Sequence, residues 1–165
     1  TSATVTRNAD VMGKTGVSSL IGQTEGTYFI DVTVPLTAPG FSMLLSTKYA
    51  QNSVEIYRGG VTAGTFNLYI EVAGSNILFS LNTGVVTTTG KCRIALAYKS
   101  GDTVLYINGV QQVSSTNAIT FNQTLDRLDV NSRNGVDYIE KNNISSVVLF
   151  KTRLSNAELA TLTTP

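Results

Sequence analysis

Apolar and polar residues alternate along Lys91–Val113 (KCRIALAYKSGDTVLYINGVQQV), interrupted by Ser100-Gly101 and Asn108-Gly109. Period-two alternation predicts strands with one buried face. Asn-Gly between two such runs predicts a type I′ hairpin turn, because both central residues of that turn need φ > 0. With Lys99 opposite Asp102 and Ile107 opposite Val110, one face collects Cys92, Ile94, Leu96, Leu105, Ile107 and Val110. The other collects Arg93, Ala95, Ala97, Val104, Tyr106 and Gln111. Both turns select the same apolar side, and a slip of one residue would destroy it. The expectation is a half-buried, three-stranded antiparallel meander.

The same reading extends to the rest of the chain. A short edge strand is expected near Asp10-Val11-Met12, and strands over Val17–Gly22, Thr27–Val34 and Phe41–Ser46. Pro35 and Pro39 close the third of these, since neither can donate to a ladder. A second meander follows. Ser53–Arg58 puts Val54 and Ile56 inward, and Thr65–Val72 does the same with Phe66, Leu68, Ile70 and Val72. After a tight turn at Ala73-Gly74-Ser75, Asn76–Asn82 is expected to return Ile77, Phe79 and Leu81 to the core. Ala118–Phe121, Leu125–Asn131 and Ile144–Lys151 bring the total to about a dozen strands. The one clear helix begins at Ser155: Ser155 and Glu158 have capping-box spacing, and Leu154 and Leu159 stand as a hydrophobic staple. It has about two turns and needs to dock on a sheet to persist. Many half-buried strands with almost no helix favour an all-β fold: a two-sheet antiparallel jelly-roll sandwich with one short C-terminal helix.

At 165 residues the expected organisation is a single domain over 1–165, large enough for a real core. Charged residues are 14% of the chain and the net charge is +1, so no nucleic-acid footprint is present. No apolar run has the length of a membrane span. Cys92 is the sole cysteine and falls on the core face, where it reads as a small buried hydrophobe. No intrachain disulfide can form, which fits folding in a reducing cytoplasm. There is no histidine, and that removes a Ser-His-Asp triad, a Cys-His pair and any His-ligated metal. Two carboxylates alone can still hydrolyse a glycoside. Asp126 and Asp129 fall on opposite faces of a strand, which leaves Glu55 and Glu71 as the one pair able to share a face.

Two segments carry a family resemblance. KCRIALAYKSGDTVLYINGVQQ resembles the strand pair of concanavalin A-like lectin/glucanase and laminin-G-like domains, through Ala95, Tyr98, Leu105, Tyr106, Asn108 and Gly109. SSVVLFKTRLSNAELATL is similar to their closing strand and helix, through Arg153, Leu154, Ser155 and Glu158. The opening from Arg7 to Val32 is similar to the start of such domains in bacteriophage tail and tail-fibre proteins. The resemblance implies a concanavalin A-like sandwich that binds glycans or proteins, and in a phage tail an adhesion module. Laminin-G-like domains often hold calcium at a loop rim, and Asp137 is the best candidate ligand for it here; an ordinary solvated turn is the favoured reading of that loop, so no cofactor is expected. The acidic Glu-x-Asp-x-x-Glu strand of the glucanases has no counterpart here, so the chain is expected not to be an enzyme.

Sugar sites combine an aromatic ring with amides, carboxylates or guanidinium groups. Tyr57, Tyr69, Glu55, Asn67 and Glu71 offer that mixture on one sheet face. If the two meanders share a sheet, Arg93 and Tyr106 join them, with Ala95 and Ala97 leaving a shallow groove. Ordinary cross-strand pairs on a solvated sheet are the plainer alternative. A loop rim holding Tyr49, Gln51, Asn52, Asn134, Asp137 and Tyr138 is the rival site. The expected function is a lectin-like, carbohydrate-binding module that attaches a phage tail to a bacterial surface polysaccharide. The domain would be made in the host cytoplasm and carried on the virion, with any homo-oligomer formed through its parent. The alternatives are a structural or protein-binding decoration domain of the tail, and the accessory carbohydrate-binding module of a secreted bacterial enzyme.

Overall fold

Eleven strands and one helix are arranged as two antiparallel sheets in a computed structural model that describes residues 12–34, 41–46, 51–58, 65–85, 90–132 and 143–165. In chain order the strands are β1 (Met12–Thr15), β2 (Glu25–Val34), β3 (Phe41–Ser46), β4 (Asn52–Arg58), β5 (Thr65–Val72) and β6 (Ser75–Val85). They continue as β7 (Gly90–Lys99), β8 (Thr103–Ile107), β9 (Val110–Ser115), β10 (Arg127–Val130) and β11 (Asn143–Phe150), before helix α1 (Asn156–Thr163). A six-stranded sheet runs β1-β10-β3-β4-β5-β6 and a five-stranded sheet runs β11-β2-β7-β8-β9. The jelly-roll sandwich expected from the alternation is the architecture observed.

The meander has the predicted register. Ile94 pairs with Ile107, Leu96 with Leu105 and Ile107 with Val110. Asn108 and Gly109 both have positive φ, at 49° and 80°, as the I′ turn requires. Cys92, Ile94, Leu96 and Leu105 are sealed in the core, with Tyr28, Ile30 and Val32 of β2 beside them and Val54, Ile56, Phe66, Leu68 and Ile70 of the other sheet opposite.

Four local expectations are corrected. Val110 is 59% exposed and is not a core residue. A bulge in β9 sets Val113 opposite Leu105, so Val113 packs against the core in its place. A bulge in β6 likewise pairs Leu78 with Ile70 and Asn76 with Glu71, which resets the alternation expected after the Ala73-Gly74 turn. Both Ile77 and Leu78 pack on the core; the side chains of Phe79 and Leu81 lie outside what is described. Residues 17–22 form no strand. Gly16 turns with φ of 75°, and the Asp126 carboxylate accepts from the Gly16 and Ser18 amides. The chain then makes a 3₁₀ turn over Ser18–Leu20. Residues 118–121 also lack a ladder: the Ile119 amide donates to Ser100 Oγ, and Ile119 is buried as a plug.

The helix forms where its caps predict. Ser155 Oγ accepts from the Glu158 amide and the Glu158 carboxylate accepts from the Ser155 amide. The Ser155 hydroxyl also donates to that carboxylate, and this bond together with the one from the Ser155 amide holds the Glu158 carboxyl below its usual pKa. α1 docks on the outer face of the five-stranded sheet, where Leu159, Leu154, Ala160 and Leu162 cover Phe29, Ala95, Ala97, Val104 and Tyr106. The meander is therefore buried on both faces, not half-buried as the alternation alone suggested.

Candidate functional site

The two meanders lie in different sheets, so the shared groove expected from Arg93, Tyr106, Ala95 and Ala97 does not exist. The alanines pack beneath α1. Arg93 Nε donates to Asp31 Oδ2 at 3.2 Å and its Nη1 donates to the Thr164 carbonyl. Tyr106 Oη donates to Gln111 Oε1 at 3.0 Å. Both residues thus tie the helix side of the sandwich together. Tyr49, Asn134, Asp137 and Tyr138 lie outside the described residues, and so does the loop that offered the calcium candidate. Among the described residues no three His, Cys, Asp or Glu side chains come together as a metal site. None of the described helices is long and apolar enough to cross a membrane.

The remaining candidates do come together, on the outer face of the six-stranded sheet. Glu55 of β4 pairs with Tyr69 of β5, Tyr57 pairs with Asn67, and Ser53 pairs with Glu71. Glu55 and Glu71 are diagonal neighbours, with backbones about 7–8 Å apart. One strand beyond β3, the buried Asp129 continues the Glu55–Tyr69 row and Arg127 continues the Ser53–Glu71 row. Their positions on this face follow from Leu128 and Val130, which alternate with them and point to the core.

This face is not an ordinary solvated one. Glu55 is 1% exposed, Asn67 and Asp129 are 0%, and Glu71 is 8%, whereas Tyr57 and Tyr69 are half-buried. Sealing carboxylates and amides costs several kcal/mol unless they are paired. Asp129 meets that cost with Arg127, which donates to it through Nε and through Nη2 at 2.7 Å. That bond raises the Arg127 pKa, the neighbouring carboxylate charge acting in the same direction and burial against it. Gly13 of β1 lies beneath the pair; a Cβ there would come within 2.5 Å of Asp129 Oδ1. The result is a buried polar bed, pinned on β10 by this ion pair, with two half-buried aromatic rings among its residues. The sequence reading weighed Asp129 only against Asp126 and passed over Arg127, although the alternation through Leu128 and Val130 already assigns both to this face.

Searches against protein-family models and against curated protein sequences find no match. Solved structures do match. The CBM40 of the Ruminococcus gnavus IT-sialidase, bound to alpha2,3 sialyllactose, superposes with a TM-score of 0.67 at 15% identity, covering 94% of each chain. Domain 4 of AbnA, a GH43 extracellular arabinanase from Geobacillus stearothermophilus in complex with arabinotriose, gives 0.64 at 14% identity over 88% of this chain and 69% of that one. Mouse laminin alpha1 chain domains LG4-5 give 0.60 at 9% identity over 93% and 46%. The fold is the lectin-like jelly roll. It is the sandwich implied by the resemblance of the Lys91–Gln112 and Ser145–Leu162 segments, and at these identities the likeness is one of fold. The residues carrying that resemblance are structural here. Arg153 joins Asp102, Asn156 and the Leu154 carbonyl, locking the start of α1 to the Ser100-Gly101 turn.

Proposed function

We propose that this chain is a non-catalytic carbohydrate-binding module whose ligand lies across the outer face of the six-stranded sheet. The observation that carries the reading is the pair of half-buried rings, Tyr57 and Tyr69, set over a bed of buried polar groups. A tyrosine ring packs on the apolar face of a sugar at low entropic cost, and a preorganised surround lowers the cost of binding further. The opposite sheet has its outer face occupied by α1. Glu55 is too deeply buried to reach a glycosidic bond without rearrangement, which weighs against a Glu55–Glu71 hydrolase. Solved relatives in fold that carry sialyllactose and arabinotriose support the same class of ligand. The setting we propose is a bacteriophage tail, with a bacterial surface polysaccharide as partner; it rests on the resemblance of the Arg7–Val32 segment.

The test is a bacterial glycan array read with the domain, with Tyr57→Ala/Tyr69→Ala, and with EDTA. Binding lost in the double variant, with circular dichroism unchanged, supports the sheet face. Binding that survives the double variant but disappears in EDTA moves the site to a calcium-bearing rim. A folded domain that binds nothing refutes the proposal in favour of a structural decoration domain. Polysaccharide turnover abolished by Glu71→Gln overturns the non-catalytic assignment.

A further inference from the structure

A cleft of about 300 Å³ opens at the end of the sandwich where β2 begins, lined by Gln23, Thr24, Phe121, Asn122, Gln123 and Thr124. Its walls are built before any ligand arrives. Gln23 acts as a staple: Nε2 donates to the Ser18, Ile21 and Leu125 carbonyls, and Oε1 accepts from the Leu125 amide at 2.7 Å. On the far side the buried Asn52 donates to Asn122 Oδ1 at 2.8 Å and to the Gln123 carbonyl, while its own Oδ1 accepts from the Ala73 amide. The Phe121 ring is half-buried and sits edge-on to Tyr98, with centroids 6.2 Å apart and planes at 72°. Tyr98 is held in turn by its hydroxyl, which donates to the Gly22 carbonyl.

The geometry points to this cleft as a second carbohydrate subsite, selective for an uncharged sugar residue. A fixed ring flanked by outward amides and hydroxyls matches a ligand with one apolar face and a rim of hydroxyl groups. Every described lining residue is uncharged. The acids that adjoin the lining residues in sequence are already engaged: Asp126 accepts from two backbone amides and Glu25 pairs with Lys99 at 3.3 Å. Among the described lining residues there is no cation to offset the desolvation of an acidic sugar's carboxylate. The volume is at the lower limit for ligand pockets, which suits a single sugar residue. Along β4 the cleft lies about 17 Å from Tyr57, taking Asn52 as its marker, so the two sites are separate and together would add avidity. This inference rests on the glycan-binding reading of the domain but not on the location of the sheet-face site.

The experiment is amide and side-chain ¹⁵N NMR on the whole chain, titrated with galactose, glucose, N-acetylglucosamine, rhamnose and 3′-sialyllactose to about 50 mM, which detects dissociation constants in the millimolar range. A neutral sugar should shift the Asn122, Gln123 and Gln23 side-chain amides. Gln123→Ala, whose side chain makes no described hydrogen bond, should weaken that binding about five- to tenfold. Phe121→Leu should weaken it similarly while keeping the apolar packing. Shifts confined to the Tyr57 and Tyr69 face would refute the cleft while leaving glycan binding intact. Shifts at the cleft from 3′-sialyllactose through its acidic residue alone would refute the selectivity. Silence from every sugar at every site would overturn both proposals.

Discussion

Two tyrosines project into the core from the five-stranded sheet and differ in one respect. Tyr98 donates its hydroxyl to the Gly22 carbonyl at 2.6 Å, while the Tyr28 hydroxyl is fully buried with no hydrogen-bond partner among the described residues. Removing that one oxygen from each should therefore have opposite effects. An unsatisfied buried hydroxyl costs roughly 1–3 kcal/mol, so Tyr28→Phe should stabilise the fold by about 1 kcal/mol. Tyr98→Phe gives up a hydrogen bond and leaves a carbonyl unpaired, and should destabilise by about 1–2 kcal/mol. For a domain of this size each kcal/mol moves Tm by about 2–4 °C, so the two variants should straddle the parent by several degrees. Burial raises both phenol pKa values, and for Tyr28 the Glu55 carboxylate and then Tyr98 raise it further. A folded pKa above the unfolded value gives stability that is complete below pH 10 and is lost as pH rises beyond it. Each Phe variant should accordingly flatten the alkaline fall in Tm. Thermal melts at pH 7 and across pH 9–11 measure both effects. A Tyr28→Phe variant as destabilised as Tyr98→Phe would refute the reasoning, because it would mean that the Tyr28 hydroxyl has a partner.

Three further outcomes follow from close contacts and caps. Gly26 lies directly beneath the Tyr98 ring, where a Cβ would stand 2.5 Å from Oη and 2.7 Å from Cζ; Gly26→Ala should cost about 1–3 kcal/mol in chemical denaturation. Leu159 is fully buried over Ala95 and Ala97, so Leu159→Ala should cost about 2–5 kcal/mol, and hydrogen exchange should show α1 loosening first. The Glu158 carboxyl is lowered by its bonds to Ser155, so the cap is complete above the unfolded carboxylate pKa and is lost as pH falls through the lowered folded value. Exchange of the Glu158 and Leu159 amides should therefore speed up below about pH 4, and Glu158→Gln should remove that dependence.

Local rules read the hairpins and the helix cap correctly because each is specified within a few residues: Asn108-Gly109 by its φ requirement, Ser155 and Glu158 by side chains that reach neighbouring amides. The failures arise where something beyond the local pattern intervened, a side chain distant in sequence or an extra residue within a strand. Asp126 captured the amides of Gly16 and Ser18, and bulges in β6 and β9 shifted which of two adjacent residues points inward. The assignment of sheets was hidden for the same reason. Nothing within residues 53–113 states that the two meanders part company, so the polar face of Glu55, Asn67 and Glu71 was legible as a set while the place of Arg93 and Tyr106 was not. The cleft at Phe121 left the faintest trace, an aromatic followed by two amides between buried Ile119 and Leu125.

Consider finally what β2 implies for a chain that is still being made. It is the second strand in sequence, yet its neighbours in the sheet are β7 and β11, the latter only a few residues before α1. Until β7 has been made, TYFIDVTV has neither ladder partner, and such bare apolar strands are where nascent chains stick to one another. Asp31 interrupts the run with a charge that the finished sandwich then seals against Arg93, at 7% exposure. In the native state that carboxylate is a burden, with one oxygen unpaired among the described residues. For the unfinished chain it acts as a gatekeeper. Asp31→Val should then give a domain that is no less stable once folded but yields far less soluble protein.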